Sequence, residues 1–307
     1  MSATVVRARR YVPELALIAA TVAYGATFVV VQHALDDATP AGFILLRFTV
    51  GTIALAPFAF RRGFRRPAVA VRASDFAKAA VAFGVVGFVG YWFQNAGLER
   101  TTTSNSAFIT GLFVVFTPLI EMVVTRRPPE PRVLLAVVVS AFGLYLLTGA
   151  SIDIGAGDAL TLGCAFFFAI WIVMGSTLSQ RFDAVALTAA QMAVLALCAV
   201  PVVAVVGIGR VTAGVIGAAL LTGVVCSAIA FSLQLWAQRS VEASRAAVIL
   251  MFEPVVAGFV GYAVGERLGL TGYLGAFVIL VGIVVAESRT WRGADPGGPD
   301  RGRSSCG

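Results

Sequence analysis

The amino-acid sequence predicts an all-α integral membrane protein of ten transmembrane helices, arranged as two five-helix repeats of inverted topology. Three observations lead to this prediction: an apolar composition, a one-sided distribution of arginines and an internal repeat. Of the 307 residues, 59% are hydrophobic and only 13% are charged, which is about half the charged fraction of a soluble domain. Because so little polar surface is available, a bilayer must be the solvent for most of the chain.

The hydropathy pattern places the individual spans, since a helix needs about 20 apolar residues to cross the hydrocarbon core. Ten segments meet this requirement: 13–35, 40–60, 76–98, 104–125, 132–149, 157–178, 184–206, 212–237, 244–264 and 270–288. We interpret the first as a retained helix rather than a signal peptide. The segment 291–307 is rich in glycine and proline, and we expect it to be a disordered cytoplasmic tail.

The lysines and arginines are distributed unevenly over the loops between these spans. Nineteen of the twenty-three lie in the N-terminal segment, in or beside the even-numbered loops, or in the C-terminal tail, whereas three lie in the odd-numbered loops. Cytoplasmic loops of membrane proteins carry such an excess. The bias therefore predicts an even number of spans in the cell (inner) membrane, with both termini in the cytoplasm. The remaining one, Arg47, falls well inside a span.

The chain also repeats itself, with 1–150 as the first half and 151–290 as the second. Four pairs of residues coincide when the halves are aligned: Phe168 with Tyr24, Gln191 with Arg47, Pro201 with Pro57 and, after small gaps, Pro254 with Pro118. Each half has five spans, an odd number, so the second half enters the membrane from the opposite side. Inverted pairs of this kind are typical of transporters that expose one central site alternately to the two sides.

Four stretches resemble the drug/metabolite transporter superfamily, in its EamA-type ten-helix form: YGATFVV, PAGFILLRFTVGTIAL, AGLERTTTSNSAFITGLFVVFTPL and FEPVVAGFVGYAVGERLGLTGYLGAFVILVGIVV. Arg47 falls on the arginine position of this superfamily, whereas Tyr24 replaces its usual tryptophan. The resemblance covers almost the whole chain as a pair of EamA-type repeats. It implies ten helices, cytoplasmic termini, and the export or exchange of metabolites, amino acids or drugs.

Two carboxylates inside spans are candidates for proton coupling. Glu253 lies near mid-depth beside Pro254, where charge is costly and tends to be functional. A neutral Glu253 that ionises when water reaches it could carry a proton in exchange for substrate. The alternative is a hydrogen-bonded glutamic acid that only fixes helix packing. Glu121 lies nearer the inner surface and is the weaker candidate.

Polar and aromatic side chains inside the spans are candidates for substrate binding. They are Tyr24, Phe28, Arg47, Gln94, Asn95, Asn105, Phe168, Trp171, Gln191 and Gln234. Arg47 would attract an anionic group, and aromatic walls suit amphipathic substrates. The alternative for each is packing between helices or towards lipid.

Other classes of function find little support in the sequence. His33 is the only histidine and no CxxC occurs, so we expect no metal site and no cofactor. The arginines form strips between apolar runs rather than a basic face, which argues against nucleic acid as a partner. The expected partners are the lipid bilayer and a small-molecule substrate, and a homodimer stays open. A membrane-embedded enzyme lacks a motif such as GxSxG or HExxH, and a non-transporting scaffold or receptor gives no reason for the repeat.

Overall fold

The computed structural model describes residues 11–63, 72–98, 100–101, 103–148, 155–263 and 269–292. Within these residues ten helices follow one another, and the only β-structure is an isolated bridge between Ala38 and Gly209. The helices are Val12–Leu35 (α1), Pro40–Arg62 (α2), Ala73–Leu98 (α3), Thr103–Gly111 with Phe113–Thr125 (α4), Pro131–Thr148 (α5), Ala156–Ser179 (α6), Ala184–Val206 (α7), Ala213–Ala237 (α8), Ala243–Leu250 with Phe252–Ala263 (α9) and Leu270–Arg292 (α10).

The predicted all-α membrane fold of about ten helices is confirmed. Among the described residues, α2 to α10 contain nine segments that are long and apolar enough to cross a membrane, and α1 contributes the shorter apolar stretch Val12–Thr27. Each helix end lies within four residues of its predicted position. Large apolar side chains such as Phe60, Val205 and Leu270 are more than four-fifths exposed on the outside of the bundle, which suits contact with lipid. Of the predicted disordered tail 291–307, residues 291 and 292 belong to α10, because the helix continues beyond its apolar run, and the rest lies outside the described residues.

Short polar residues fix where several helices begin. The Thr39 hydroxyl accepts a hydrogen bond from the Gly42 N–H (3.1 Å), with Pro40 in the first turn of α2. The Asp183 carboxylate accepts from the N–H groups of the first turn of α7, and the Thr212 hydroxyl does the same for α8. These caps satisfy donors that have no partner within the helix, so the turns between apolar runs are encoded locally.

Contacts between helix ends show that α1 begins and α10 ends on the same face of the bundle, called here the first face. At this face Arg245, at the start of α9, contacts Glu14 of α1 (3.4 Å) and Glu287 of α10. Arg239, in the turn after α8, donates to the carbonyl oxygen of Phe182 after α6 (3.3 Å). The ends of α6, α8 and α10 therefore meet the starts of α1, α7 and α9.

The opposite, second face collects the remaining turns. The Arg210 N–H donates to the Asp37 carbonyl oxygen (2.8 Å), and the two side chains form an ion pair. The Thr101 hydroxyl donates to the Asp158 carboxylate (2.5 Å). The turns after α1 and α7 thus lie together, and so do the turn after α3 and the start of α6, as an alternating up-and-down path requires.

Helices that the repeat makes equivalent pack against each other in antiparallel pairs. The most extensive such pairs are α5 with α10 and α2 with α7; α3 and α6, which the repeat does not relate, also pack closely. In the first pair Gly143 faces Gly275 and Ile279, whereas Gly282 faces Ala136, so one chain rises as the other descends. A Cβ on Gly143 would lie 2.8 Å from the Ile279 nitrogen, hence only glycine permits this approach. The pairing fits two halves of opposite orientation.

Three helices depart from regular α-helix inside the bundle. α4 is interrupted at Leu112 and α9 at Met251, each before a proline of the same helix, Pro118 and Pro254. In α8 the residues Thr222–Ala230 form a π-helix. Proline removes a backbone donor, and π-helical turns are frequent at functional sites. These irregular segments mark where the fold is specialised.

Candidate functional site

Arg47 of α2 is held against the π-helical segment of α8. Its Nε donates a hydrogen bond to the Ser227 hydroxyl (2.9 Å). Its Cζ lies 5.4 Å from the Phe48 ring centroid and 5.8 Å from the Tyr91 ring centroid. A Cβ on Gly223 would lie 2.7 Å from the Arg47 carbonyl oxygen, so α2 and α8 touch here. The cation is thus stabilised by one hydroxyl and two aromatic rings.

Glu253, at the start of the second segment of α9, is the other charged residue near Arg47. Its charge interacts with Arg47, Tyr24, Tyr91 and Cys226. Within the described residues its carboxyl makes no hydrogen bond and no ion pair closer than 4.0 Å. The side chain is half-buried. A carboxyl group near, but not bonded to, a cation is free to change its protonation state.

The backbone of Glu253 is positioned by α1. A Cβ on Gly25 would lie 2.6 Å from the Glu253 carbonyl oxygen and 3.0 Å from the Ala257 nitrogen. Pro254 follows Glu253, so the helix lacks a donor at this point. The close approach of α1 and the missing backbone donor together determine where the Glu253 side chain projects from α9.

Tyr24, which directly precedes Gly25 in α1, completes the polar side of the site. Its hydroxyl donates to Gln234 Oε1 of α8 (2.8 Å), and its ring packs edge-on against Phe231 at a centroid distance of 5.7 Å. Thr27, three residues further along α1, contacts Cys226 Sγ (2.8 Å). Helices α1 and α8 are therefore joined by hydrogen bonds at two successive levels.

The equivalent positions of the second half are aromatic. The Phe168 ring packs against Tyr91 at 5.1 Å, and the Trp171 ring stacks on Phe83 at 5.3 Å. Trp171 Nε1 donates to Gln191 Oε1 (2.9 Å). Thus Tyr24 corresponds to Phe168, Arg47 to Gln191 and Glu253 to Thr117, so each half contributes one charged residue whose equivalent in the other half is neutral.

Together these residues form what we call the central cluster. It comprises Tyr24, Arg47, Tyr91, Phe168, Trp171, Gln191, Ser227, Phe231, Gln234 and Glu253. Phe231 links its parts, because its ring contacts Tyr24, Phe48 and Trp171. Seven members are candidates that the sequence had singled out. Gln234 belongs to the cluster through its hydrogen bond with Tyr24.

Sequence reasoning missed Tyr91, Ser227 and Phe231. Tyr91 lies three residues before Gln94, one helical turn away, which is a signal that could have been used. Ser227 and Phe231 lie in an apolar run and carry no local signal. Their roles follow only from contacts with α1 and α2.

The other candidates lie elsewhere. Gln94 and Asn95 are half-buried near the second-face end of α3. The side chains of Phe28 and Asn105 lie outside the described residues. Glu121 lies at the first face, where its carboxylate accepts hydrogen bonds from the N–H groups of Ala243 (3.0 Å) and Ser244 (2.8 Å) and from the Ser244 hydroxyl.

Side chains that could bind a metal ion are not clustered among the described residues. Across the described ranges, no three His, Cys, Asp or Glu side chains come together as a metal site would need. The chemistry that the central cluster offers is therefore hydrogen bonding, aromatic stacking and proton uptake by a carboxyl.

A lipid-exposed bundle with two half-buried charged residues among its helices is typical of a multi-pass membrane transporter. The comparison with known proteins agrees: the chain belongs to the EamA-like transporter family, whose sequence profile matches it twice, over residues 12–149 and 155–287. It is thus a multi-pass membrane protein of a transporter family, and proteins of this class carry small molecules.

Relatives and a solved structure support this assignment. The chain is 33% identical over 287 residues to an uncharacterized transporter of Archaeoglobus fulgidus, covering 92% of this chain and 87% of the relative. It is 23% identical to the uncharacterized transporter YyaM of Bacillus subtilis, covering 86% and 89%. A protein crystal structure 16% identical in sequence superposes with a TM-score of 0.75 over 89% of this chain and 97% of the other. That last likeness concerns the fold alone.

Proposed function

We propose that the protein is a secondary active transporter that exports or exchanges small metabolites, amino acids or drugs by alternating access. The central cluster is its substrate site, and Glu253 is the group whose protonation is coupled to transport. The observation that carries this proposal is the pair Arg47 and Glu253, which lie close enough to interact but remain unbonded inside a membrane-spanning bundle.

The energetic argument concerns the isolation of these charges. An ionisable side chain at mid-depth costs about 3 kcal/mol or more on insertion scales. A purely structural carboxyl would be expected to recover this cost through hydrogen bonds or a close ion pair. The described surroundings of Glu253 offer neither. Function is the remaining reason to keep it.

The packing of the two halves supports alternating access. With 1–150 and 151–290 as inverted repeats, each half adopts the arrangement of the other in a second state, which opens the site to the opposite face. The antiparallel pairs α2 with α7 and α5 with α10 are the contacts that such a pseudo-two-fold axis requires.

Orientation follows from charge. The first face, which holds Arg239 and Arg245, is also the face of the arginine-rich loops. Cytoplasmic loops of membrane proteins are rich in Lys and Arg. The first face is therefore assigned to the cytoplasm of a cell (inner) membrane, and both termini with it.

Each face has a contact that must open. At the first face Glu121 ties α4 to α9 through Ser244, and at the second face Asp37 ties α1 to the α7–α8 turn through Arg210. These contacts favour a gating role for Glu121 and leave Glu253 as the protonation site. We call the Glu121–Ser244 contact the first-face latch.

The test of alternating access does not need a known substrate. A variant is made without native cysteines and with Tyr91→Cys, which places one thiol in the central cluster. A membrane-impermeant thiol reagent is then applied to right-side-out and to inverted vesicles. Labelling from both sides is expected. Labelling from one side only, with the protein folded, would contradict alternating access, and a cysteine at the exposed Val205 position serves as the lipid-facing control.

A further inference from the structure

The central cluster contains more unpartnered hydrogen-bond donors than acceptors. Arg47 uses Nε on Ser227, but its two terminal nitrogens have no hydrogen-bond partner among the described residues. The side-chain nitrogens of Gln191 and Gln234 are also buried without a partner. The acceptor left in the same group is the Glu253 carboxyl.

The orientation of the Gln191 amide is determined by the indole N–H that it contacts. An indole N–H can only donate, and Trp171 Nε1 lies 2.9 Å from Gln191 Oε1. The oxygen of the amide therefore faces the indole, and the NH₂ group faces away from it. Gln191 is fully buried. A buried donor without a partner is unfavourable, so a partner from outside the chain is expected.

Gln234 lies in a comparable position beside Tyr24, whose hydroxyl can donate or accept, unlike an indole N–H. The Tyr24 hydroxyl donates to Gln234 Oε1 (2.8 Å), and Gln234 is 1% exposed. Two carboxamides are thus each held by an aromatic donor, with their NH₂ groups unused. Both lie beside the ring system that surrounds Arg47.

We infer that the central cluster binds the carboxylate of a small apolar or aromatic acid on Arg47, and that Glu253 takes up a proton as this anion binds. The inference rests on the proposed transport function and names its substrate class. One cation with neutral amide donors balances one negative charge. A phosphate dianion would need a second cation, whereas Phe168, Trp171 and Phe231 provide an apolar wall for the remainder of the molecule.

Charge balance gives the direction of the coupling. In the empty site, ionised Glu253 compensates Arg47. When a carboxylate occupies Arg47, a second negative charge nearby is unfavourable, so Glu253 binds one proton from water and becomes neutral. The proton and the anion therefore bind together and move in the same direction. This is the opposite of the proton exchange that the sequence suggested, and the sign follows from the charge of the substrate.

Glu253 does not titrate alone. The charged and titratable groups that face it are Tyr24 of α1, Arg47 of α2, Tyr91 of α3 and Cys226 of α8. Of these, only Arg47 carries a charge at neutral pH. The charge state of the site therefore depends on Glu253 and on the bound ligand.

The experiment uses three probes with one carbon skeleton: 3-phenylpropionate, phenethylamine and phenylalanine. Thermal unfolding of the purified full-length protein reports binding, because a ligand that binds the native state stabilises it. We expect 3-phenylpropionate to stabilise the protein and phenethylamine to have no effect. Arg47→Gln should weaken the binding of 3-phenylpropionate at least tenfold. Arg47→Lys, which keeps the charge and the fold, should weaken it less, and Arg62→Gln at the exposed end of the same helix should leave it unchanged.

The pH arm tests the proton. From about pH 8 to about pH 6 the probe itself stays ionised. One proton taken up per anion then strengthens 3-phenylpropionate binding by up to about tenfold per pH unit lowered. In Glu253→Gln the affinity should not change with pH.

Several results would overturn the inference. They are binding of phenethylamine, binding of phenylalanine without 3-phenylpropionate, absence of stabilisation by the acid, and acid binding that survives Arg47→Gln or weakens as the pH falls. If Tyr91→Cys is still labelled from both sides, any of these results contradicts the inference about the substrate but not the proposed transport function. One-sided labelling would overturn the transport proposal whichever probe binds.

Discussion

Removal of the first-face latch should open the cytoplasmic side of the transporter. In Glu121→Ala the start of α9 loses an acceptor for two backbone N–H groups and for the Ser244 hydroxyl. Loss of such a capping acceptor costs about 0.5–2 kcal/mol, and loss of its charge at a helix N-terminus adds about 0.3–1 kcal/mol. The cost applies only to the state in which α4 and α9 are in contact.

A change of about 1.4 kcal/mol is a factor of ten in an equilibrium. We therefore expect Glu121→Ala to raise the labelling rate of Tyr91→Cys from the cytoplasmic side by roughly tenfold, provided that the open state is the minor one. Glu121→Gln, which keeps one acceptor oxygen but not the charge, should give a smaller increase. Labelling from the outside should not increase.

The matched control is Glu130→Gln. Glu130 pairs with Arg132 within the same turn, so its loss removes a charge from the first face without separating two helices, and surface pairs contribute little. An unchanged cytoplasmic labelling rate in folded Glu121→Ala would show that the latch does not hold the face closed. Equal increases in Glu121→Ala and Glu130→Gln would assign the effect to surface charge.

Three further predictions concern coupling, packing and topology. Glu253→Gln keeps the shape of the neutral acid but cannot release a proton, so in proteoliposomes it should lose gradient-driven transport and retain substrate exchange; full gradient-driven transport would leave Glu253 a packing role. Gly25→Ala places a Cβ 2.6 Å from the Glu253 carbonyl oxygen and should lower unfolding stability by about 1–3 kcal/mol, whereas Gly217→Ala, with open space around it, should not destabilise the protein in the same thermal assay. A reporter fused after Arg303 should be cytoplasmic and one at Asp36 external, and an external C-terminus would contradict the charge argument.

The fold was predictable because its signals are local. Span length follows from bilayer thickness, and the helix starts follow from residues such as Thr39, Asp183 and Thr212 that cap the next helix. The uneven distribution of arginines over the loops predicted an even number of membrane-spanning helices. The break in α9 was also foreseeable, because Pro254 is visible in the sequence.

The site was predictable only in part, because its contacts join distant segments. Arg47 and Glu253 stood out as charges in apolar runs, but 206 positions separate them. Ser227 looks like any other small polar residue of a span until Arg47 is seen to donate to it. The π-helical turn that presents Ser227 has no established sequence signature, and Glu121 resembled a buried acid until its contact with Ser244 was visible.

The backbone and the side chains of the two halves meet two different requirements. The proposed alternating access needs two states of similar energy, which a repeated backbone favours. The residues kept in both halves are structural: Pro57 with Pro201, and Pro118 with Pro254. Selectivity needs unequal half-sites, and the residues that differ are those of the central cluster. Charge is concentrated on α2 and α9, while the equivalent positions on α7 and α4 carry neutral Gln191 and Thr117. If protonation of Glu253 is coupled to substrate binding as proposed, a proton gradient would favour one direction of the proposed cycle.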